Sequence, residues 1–154
     1  MPDDLILVHE LSEPLIEQLH ALYQRQWWSQ GRSLDDVRTM ASHTSVLYAL
    51  VDSKTDRLVA FCRVITDFAF RGMLQDVIVD EESRGQGIGR RLMEAVIGDP
   101  RISGVDVIGL WCKPELVPMY ERFGFERANE EYCWLQRAGN KSDETMNSTG
   151  EPAA

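Results

Sequence analysis

The stretch Leu74-Gln75-Asp76-Val77-Ile78-Val79-Asp80 is followed, after three further residues, by Arg84-Gly85-Gln86-Gly87-Ile88-Gly89-Arg90-Arg91. The first run is typical of a buried strand. Glycines permit positive φ and let backbone N–H groups approach a ligand without an intervening Cβ. A helix that begins in such a turn adds unpaired N–H donors and the favourable end of its dipole. Residues 73–97 therefore predict a strand, a phosphate-binding turn and a helix.

Length and composition favour one ordinary globular domain. The chain has 154 residues, of which 44% are hydrophobic and 27% are charged. Its net charge of -9 argues against a nucleic-acid partner, because the surface of such a protein should be basic. No segment approaches the roughly 20 apolar residues of a membrane span, and the acidic start is unlike a signal peptide. We therefore expect a cytoplasmic protein with no nucleic-acid or membrane partner.

The cysteines and histidines give no sign of a disulfide framework or a metal site. Cys62, Cys112 and Cys133 are scattered and form no C-x-x-C pair. We expect all three to be buried thiols. The three histidines lack metal-ligand spacing, so no metal is predicted.

The rest of the chain predicts an α+β domain over residues 1–137 and a disordered tail over 138–154, where apolar residues are almost absent. The strand after the glycine-rich turn should run parallel to the central strand, through the helix between them. Strands are predicted at Leu5–Val8, Val46–Val51, Leu58–Thr66, Met73–Asp80 and Val105–Cys112, with a last hairpin from Phe125 that includes Tyr132–Leu135. Helices are predicted from the cap Ser12 to about Gln26, from the cap Ser33 to about His43, over Ile88–Ile97, and from Pro114 to Phe123.

Three kinds of phosphate-binding loop are candidates for the glycine-rich turn. A P-loop requires G-x-x-x-x-G-K-[ST], and neither Lys-Ser nor Lys-Thr follows these glycines. A dinucleotide-binding loop requires G-x-G-x-x-G, whereas the spacing here is Gly85-x-Gly87-x-Gly89. An acyl-CoA site is the third candidate, and the surrounding sequence favours it.

Arg84-Gly85-Gln86-Gly87-Ile88-Gly89 resembles the Arg/Gln-x-x-Gly-x-Gly/Ala signature of the GNAT superfamily of acyltransferases. The Val-x-x-x-x-Arg lead-in from Val79 and the downstream Tyr120-Glu121-Arg122-Phe123-Gly124-Phe125 also resemble that family. The resemblance covers about Leu5 to Gln136. It implies a central mixed, mostly antiparallel sheet flanked by helices, with acetyl-CoA as the donor and no metal.

The resemblance also implies which residues bind the donor. Backbone N–H groups in the glycine-rich turn would hold the CoA pyrophosphate, and Arg84 and Arg90 would supply positive charge nearby. The pantetheine arm would lie like an added strand along the central strand. The implied donor-binding residues are Val77, Ile78, Val79, Arg84, Gly85, Gln86, Gly87, Ile88, Gly89 and Arg90.

Acetyl transfer to an amine requires a neutral nucleophile, a stabilised oxyanion and a proton for the thiolate. The resemblance assigns the oxyanion donor to the Val77 N–H. It implies that Tyr120 protonates or hydrogen-bonds the CoA sulfur. Asp76 is the candidate base, acting directly or through water, and apolar neighbours would raise its pKa. Alternatively, Asp76 pairs with Arg63 or caps a turn. The family often has an asparagine seven residues before the tyrosine, where this chain has Lys113.

Acceptor recognition is expected from the first two helices and a neighbouring hairpin. One of Trp27 and Trp28 would line the acceptor pocket, because two adjacent tryptophans on one helix cannot both face the core. Arg63 is a candidate partner for a carboxylate on the acceptor, and Asp67 for an ammonium.

The sequence therefore predicts an N-acetyltransferase that acts by direct attack on acetyl-CoA in a ternary complex, with a small-molecule primary amine as acceptor. A protein or peptide N-acetyltransferase is the first alternative, and its acceptor groove should be open and acidic. A non-catalytic acyl-CoA-binding module is the second alternative. A homodimer is compatible with the resemblance.

Overall fold

The computed structural model describes residues 2–128 and 131–141. Its strands are β1 (Leu5–Val8), β2 (Val46–Asp52), β3 (Arg57–Thr66), β4 (Arg71–Val79) and β5 (Val107–Leu110). Its α-helices are α1 (Glu13–Gln24), α2 (Leu34–His43), α3 (Ile88–Ile97), α4 (Pro100–Ser103) and α5 (Val117–Glu121).

The five strands form one sheet in the order β1-β2-β3-β4-β5. The first three neighbouring pairs are antiparallel, and β4 runs parallel to β5 as predicted. The predicted α+β class and mixed, mostly antiparallel sheet are confirmed. In the described part of the chain, no helix is long and apolar enough to cross a membrane.

Helices cover both faces of the sheet. On one face, Tyr23 of α1 and Val37 of α2 pack with Phe61 of β3. On the other face, Leu92 of α3 packs with Tyr48 of β2. Because both faces are covered, every residue of β2 is buried, which explains its nearly continuous apolar sequence.

The predicted helix boundaries hold best where the capping signals are strong. Helix α3 has the predicted bounds, and the Ser33 side chain accepts a hydrogen bond from the Asp36 N–H at 3.1 Å, as a helix cap does. Ser12 makes no such side-chain bond, and α1 ends two residues before the predicted Gln26. The segment after Pro114 is a 3-10 turn followed by the short α5.

The predicted C-terminal hairpin is wrong. Within 125–128 and 131–141 no residue lies in a strand. Trp134 instead packs edge-on against Trp111, with ring centroids 4.7 Å apart, while Tyr132 and Leu135 are exposed. Consecutive apolar residues without alternation do not specify which strand face is buried, so this run did not determine a pairing.

The other terminal and cysteine predictions have mixed outcomes. Of the predicted disordered tail, 142–154 lie outside the described residues, and Lys141 pairs with Asp36 of α2.

Cys62 is buried as expected. Cys112 is only partly buried and Cys133 is exposed, so the prediction of three buried thiols is wrong.

Candidate active site

Strands β4 and β5 pair only over their first four positions, from Arg71 opposite Val107 to Leu74 opposite Leu110. Beyond Leu74, β4 continues to Val79 without a β5 partner among the described residues. Its edge therefore lies open where the added pantetheine strand was predicted.

A bulge interrupts β4 at Asp76. The pairing with β3 shifts between Phe61 and Arg63, and Asp76 has a φ of 56°. A bulge adds one residue to a strand and redirects its side chains. As a result, Gln75 and Asp76 both bond to Arg63, while the side chain of Val77 packs with the hydrophobic cluster on the α3 face.

The Asp76 carboxylate is the centre of a buried polar cluster, which we call the Asp76 cluster and which comprises Tyr23, Arg32, Arg63 and Asp76. The Oδ2 atom of Asp76 accepts from the Tyr23 hydroxyl at 2.8 Å, from Arg32 Nη1 at 2.8 Å and from Arg63 Nε at 2.7 Å. Arg63 Nη2 also donates to Gln75 Oε1 at 3.0 Å. These bonds tie α1, the α1–α2 loop and β3 to the bulge.

This environment reverses the expected pKa shift of Asp76. Burial by itself would raise the pKa, but the hydrogen bonds and positive charges of Arg32 and Arg63 outweigh it and hold the pKa below its usual value. The prediction of a raised pKa is therefore wrong, and the alternative of a pair with Arg63 is confirmed. Asp76 is an ionised anchor for two arginines, and its low pKa makes it a weak proton acceptor.

Aromatic rings surround Arg32. Its guanidinium carbon lies 4.5 Å from the Tyr23 ring centroid and 5.2 Å from that of Trp28, within the range of cation–π contacts. Trp28 is partly buried against the α1 and α2 core, whereas Trp27 is 55% exposed. The Nζ atom of Lys113 lies 4.8 Å from the Trp27 centroid. The α1–α2 loop thus contacts the segment that follows β5.

The glycine-rich turn has the conformation that the sequence predicts. Gly85 and Gly87 have φ values of 76° and 75°, and Gly87 is the N-cap of α3 without a side-chain cap. A Cβ at either glycine would meet no atom within 4 Å, so the backbone faces open space. The side chain of Ile88 is buried and anchors the start of α3. The first N–H groups of α3 have no acceptor within the helix, and the turn has room for a phosphate.

Ion pairs between the buried Asp80 and two partly exposed arginines fix the entry to this turn. The Asp80 side chain, 7% exposed, lies 3.1 Å from Arg25 Nη1 and 3.5 Å from Arg57 Nη2. Arg57 also donates to the Oγ of the fully buried Ser83 at 2.9 Å and to Glu82 Oε2 at 3.0 Å. Arg57 of β3 therefore holds the residues immediately before the glycines.

The arginines of the turn are mostly exposed. Arg84 donates weakly to the Val79 carbonyl at 3.4 Å, and 56% of its side chain is exposed. Arg90 pairs with Glu94 one helical turn further along α3, with a distance of 2.7 Å. Both side chains have room to turn toward a phosphate at the start of α3.

Tyr120 lies on the α3 side of the sheet, in the same hydrophobic cluster as Val77 and Val79. Its side chain is 6% exposed and packs edge-on against Phe125. Burial, aided by the nearby Cys112 and Cys62 thiols, raises the pKa of Tyr120 to about 12. The hydroxyl is therefore protonated at neutral pH and able to donate.

The structure does not bring Asp67 to the Asp76 cluster. Its Oδ1 atom accepts from the N–H groups of Ala69, Phe70 and Arg71, at 2.9, 2.7 and 3.0 Å. These backbone bonds lower the pKa of Asp67 and close the β3–β4 turn. Asp67 thus caps its own turn through Oδ1, and its carboxylate is less available to accept hydrogen bonds from an ammonium group.

Sequence reasoning missed two members of the Asp76 cluster. Tyr23 shares the apolar spacing of α1, so its hydroxyl was indistinguishable from that of a core tyrosine. Arg32 lies in the polar segment between helices, 44 residues from its partner Asp76. The one available signal was that Arg32 lies four residues after the second of two adjacent tryptophans, Trp27 and Trp28.

The fold and this geometry agree with a known family. Residues 42–127, more than half of the chain, match the family model of the acetyltransferase (GNAT) domain. The chain therefore belongs to the GNAT family of acetyltransferases. The recognised signature and the implied fold are both confirmed.

Curated relatives share part of this chain. GCN5-related N-acetyltransferase 1, chloroplastic, of Arabidopsis thaliana is 29% identical over 71% of the chain and 55% of the relative. Serotonin N-acetyltransferase 2, chloroplastic, of Oryza sativa is 33% identical over 61% of the chain and 48% of the relative. The chain spans about half the length of the curated relatives it matches.

Solved structures match over a larger share. A putative GNAT acetyltransferase from Xanthomonas campestris has a TM-score of 0.75 and 28% identity, and the match covers 88% of this chain and 93% of that one. An aminoglycoside 6'-N-acetyltransferase in complex with coenzyme A has a TM-score of 0.58 and 23% identity, with 68% and 60% covered. The second likeness shows the fold alone.

Proposed function

We propose that this chain transfers an acetyl group from acetyl-CoA to a primary amine of a small molecule, by direct attack in a ternary complex. One observation carries the proposal: among the described residues β4 has no β5 partner beyond Leu74, and this stretch leads to the glycine-rich turn and shares a hydrophobic cluster with the buried Tyr120. That arrangement offers a phosphate site, an extended strand edge and a proton donor along one path.

The turn and the strand edge would hold the donor. N–H groups from Gln86 to Arg90 bind the pyrophosphate at the start of α3, where the helix dipole favours an anion. Main-chain groups of Val77, Ile78 and Val79 bind the pantetheine arm as an added strand. Because only main-chain groups would bind the arm, the side chains of this stretch are available for packing, and Val77 and Val79 pack against the hydrophobic cluster on the α3 face.

The residues beside the open edge would carry the chemistry. The Val77 N–H donates to the carbonyl oxygen, which becomes an oxyanion when the amine nitrogen attacks the acyl carbon. As the C–S bond breaks, Tyr120 donates a proton to the departing sulfur. Because its pKa is raised to about 12, the Tyr120 hydroxyl is protonated at neutral pH and is present as a donor to the sulfur.

We propose that Asp76 positions the arginines rather than acting as the base. It is 3% exposed and already accepts three hydrogen bonds on Oδ2, so it has little capacity for another proton. The amine proton then leaves through water at the open edge of the site. Asp76 contributes by fixing Arg32 and Arg63 beside Val77.

The charge of the acceptor side favours a small molecule over a peptide. A peptide acetyltransferase is expected to have an open, acidic groove. Here two arginines surround one acid, and Trp27 with Lys113 links the two segments that flank the opening. Both features suit a confined acceptor.

Replacement of Tyr120 by Phe tests the reaction. We expect kcat in a thiol-release assay to fall by about 100-fold, the usual contribution of a general acid, while the KM for acetyl-CoA changes by less than about twofold. Tyr132→Phe is the matched control, because Tyr132 is 81% exposed. Unchanged kcat in Tyr120→Phe would remove the assignment.

A panel of amines tests the function itself. Diamines, aromatic amines, amino acids, aminosugars and peptides are offered with acetyl-CoA, and CoA release is measured. Turnover confined to peptides would support the peptide alternative. Acetyl-CoA binding without CoA release for any acceptor would identify a non-catalytic binding module.

A further inference from the structure

The Asp76 cluster carries one more positive charge than its acid neutralises. Both Arg32 and Arg63 bind Asp76, and in the described part of the chain neither has a second carboxylate within salt-bridge distance. Tyr23 stays uncharged because burial raises its pKa, and Gln75 is neutral. Two positive arginines and one negative carboxylate therefore give the Asp76 cluster a net charge of one positive unit, to which Tyr23 and Gln75 add nothing.

This charge is partly withdrawn from water. The side chain of Arg32 is 25% exposed and that of Arg63 is 11% exposed, and two aromatic rings flank Arg32. An uncompensated charge in such surroundings is costly unless an anion pairs with it. The whole chain has a net charge of -9, so the cluster is not part of a generally basic surface. The excess positive charge of the Asp76 cluster therefore indicates an anion-binding site.

The cluster lies beside the position of the reacting acyl group. Asp76 directly precedes Val77, and Arg63 lies opposite Gln75 in the β3–β4 register. Tyr120 packs on the α3 side of the sheet, whereas the cluster lies on the side covered by α1. An amine that approaches from the side opposite Tyr120 therefore reaches Val77 next to two guanidinium groups.

Resting on the acetyl transfer proposed above, we propose that the acceptor is an amino acid whose carboxylate binds Arg32 and Arg63. A guanidinium has five N–H donors, of which Arg32 directs one from each Nη atom at Asp76 and Arg63 directs Nε and one from Nη2 at Asp76 and Gln75. The remaining N–H groups on both arginines can bind a planar carboxylate. Arg63 lies opposite Gln75, two residues before Val77, and Arg32 of the α1–α2 loop bonds Asp76, which directly precedes Val77. Only a few bonds therefore separate the acceptor nitrogen from its carboxylate. An α- or β-amino acid has that spacing.

Matched pairs of acceptors test the assignment in the unaltered protein. Phenylalanine and phenethylamine share a ring and a primary amine, and only the first carries a carboxylate. Alanine and ethylamine form an equivalent pair without a ring. We expect kcat/KM for CoA release to be at least about tenfold higher for the carboxylate member of a pair, as charge-assisted hydrogen bonds allow.

A variant pair locates the effect. In Arg32→Gln we expect the preference for the carboxylate member to fall about tenfold. In Arg38→Gln we expect no change, because Arg38 lies on α2 and pairs with the exposed Glu13 and Asp35. Equal losses for both acceptors in Arg32→Gln would show a purely structural cluster and overturn the proposal. If Arg32→Gln does not fold, the comparison in the unaltered protein decides.

The outcomes separate this proposal from the function on which it rests. If amines without a carboxylate are acetylated as well as their partners, acetyl transfer stands and the carboxylate site is wrong. If no amine in the broad panel releases CoA, the proposed function itself fails, and the acceptor assignment falls with it.

Discussion

Gly87 provides a sharp test of the phosphate-binding turn, because its replacement by alanine has two separable effects. Its φ of 75° lies in the left-handed region, which costs a residue with a Cβ about 1–2 kcal/mol. A Cβ there would meet no atom within 4 Å, so no clash adds to that cost in the free protein. At about 2–4 °C per kcal/mol for a chain of this size, Gly87→Ala should lower Tm by about 2–8 °C.

The second effect concerns the donor. With the pyrophosphate bound as proposed, a Cβ at position 87 would crowd it at the start of α3, and loss of one charged hydrogen bond there weakens binding by about ten- to 100-fold. We therefore expect a comparable rise in the KM for acetyl-CoA. Acetyl-pantetheine lacks the pyrophosphate, so its kcat/KM should change by less than about twofold.

Gly124→Ala is the matched control. Gly124 has a φ of 87°, and a Cβ there also meets open space, but it follows α5 and lies outside the turn. Both variants should lose similar stability in thermal melts, while only Gly87→Ala loses acetyl-CoA affinity. Equal KM values for acetyl-CoA in the two variants, or equal losses with both donors, would refute the assignment of the turn to the pyrophosphate.

Two further predictions concern the ion pairs around the site. Arg57→Ala leaves the buried Ser83 hydroxyl without its donor, so we expect a loss of about 1–3 kcal/mol and a severalfold rise in the KM for acetyl-CoA; unchanged donor kinetics would show that Arg57 does not position the turn. Asp76→Asn should lower stability by about 3–5 kcal/mol at neutral pH, because it removes the charge between two arginines. Since the folded pKa of Asp76 is below the unfolded value of about 4, its contribution is present above that pH and is lost as the pH falls; a Tm difference that stayed constant from pH 7 to pH 2.5 would contradict this.

Local signals predicted the centre of the fold well. The apolar run before the glycines predicted β4, the glycine spacing predicted the positive φ angles, and α3 has the predicted bounds from Ile88 to Ile97. These features depend on residues that are neighbours in sequence. The family signature lies in the same stretch, so sequence also predicted the fold class.

The sequence predicted strand pairing less well, because pairing depends on residues that are distant along the chain. The run from Tyr132 to Leu135 has strand-forming residues but no alternation, and in the described residues it forms no strand. The strand predicted at Val105–Cys112 shortens to Val107–Leu110, because β4 and β5 separate after their fourth pair. That separation opens the proposed donor site, and no local pattern specifies it.

The sequence left the environment of Asp76 open between apolar surroundings and a pair with Arg63, and the tertiary structure decided it. Its sequence neighbours are largely apolar, which favoured a raised pKa, yet the β4 bulge directs its side chain toward Arg32 and Arg63, and their charges lower it. The sequence by itself determined the strand, the glycine-rich turn and the helix, because backbone conformation follows from adjacent residues. Only the fold decided the charge around Asp76, because electrostatic energy depends on distance in space, and these partners are 44 and 13 residues away along the chain.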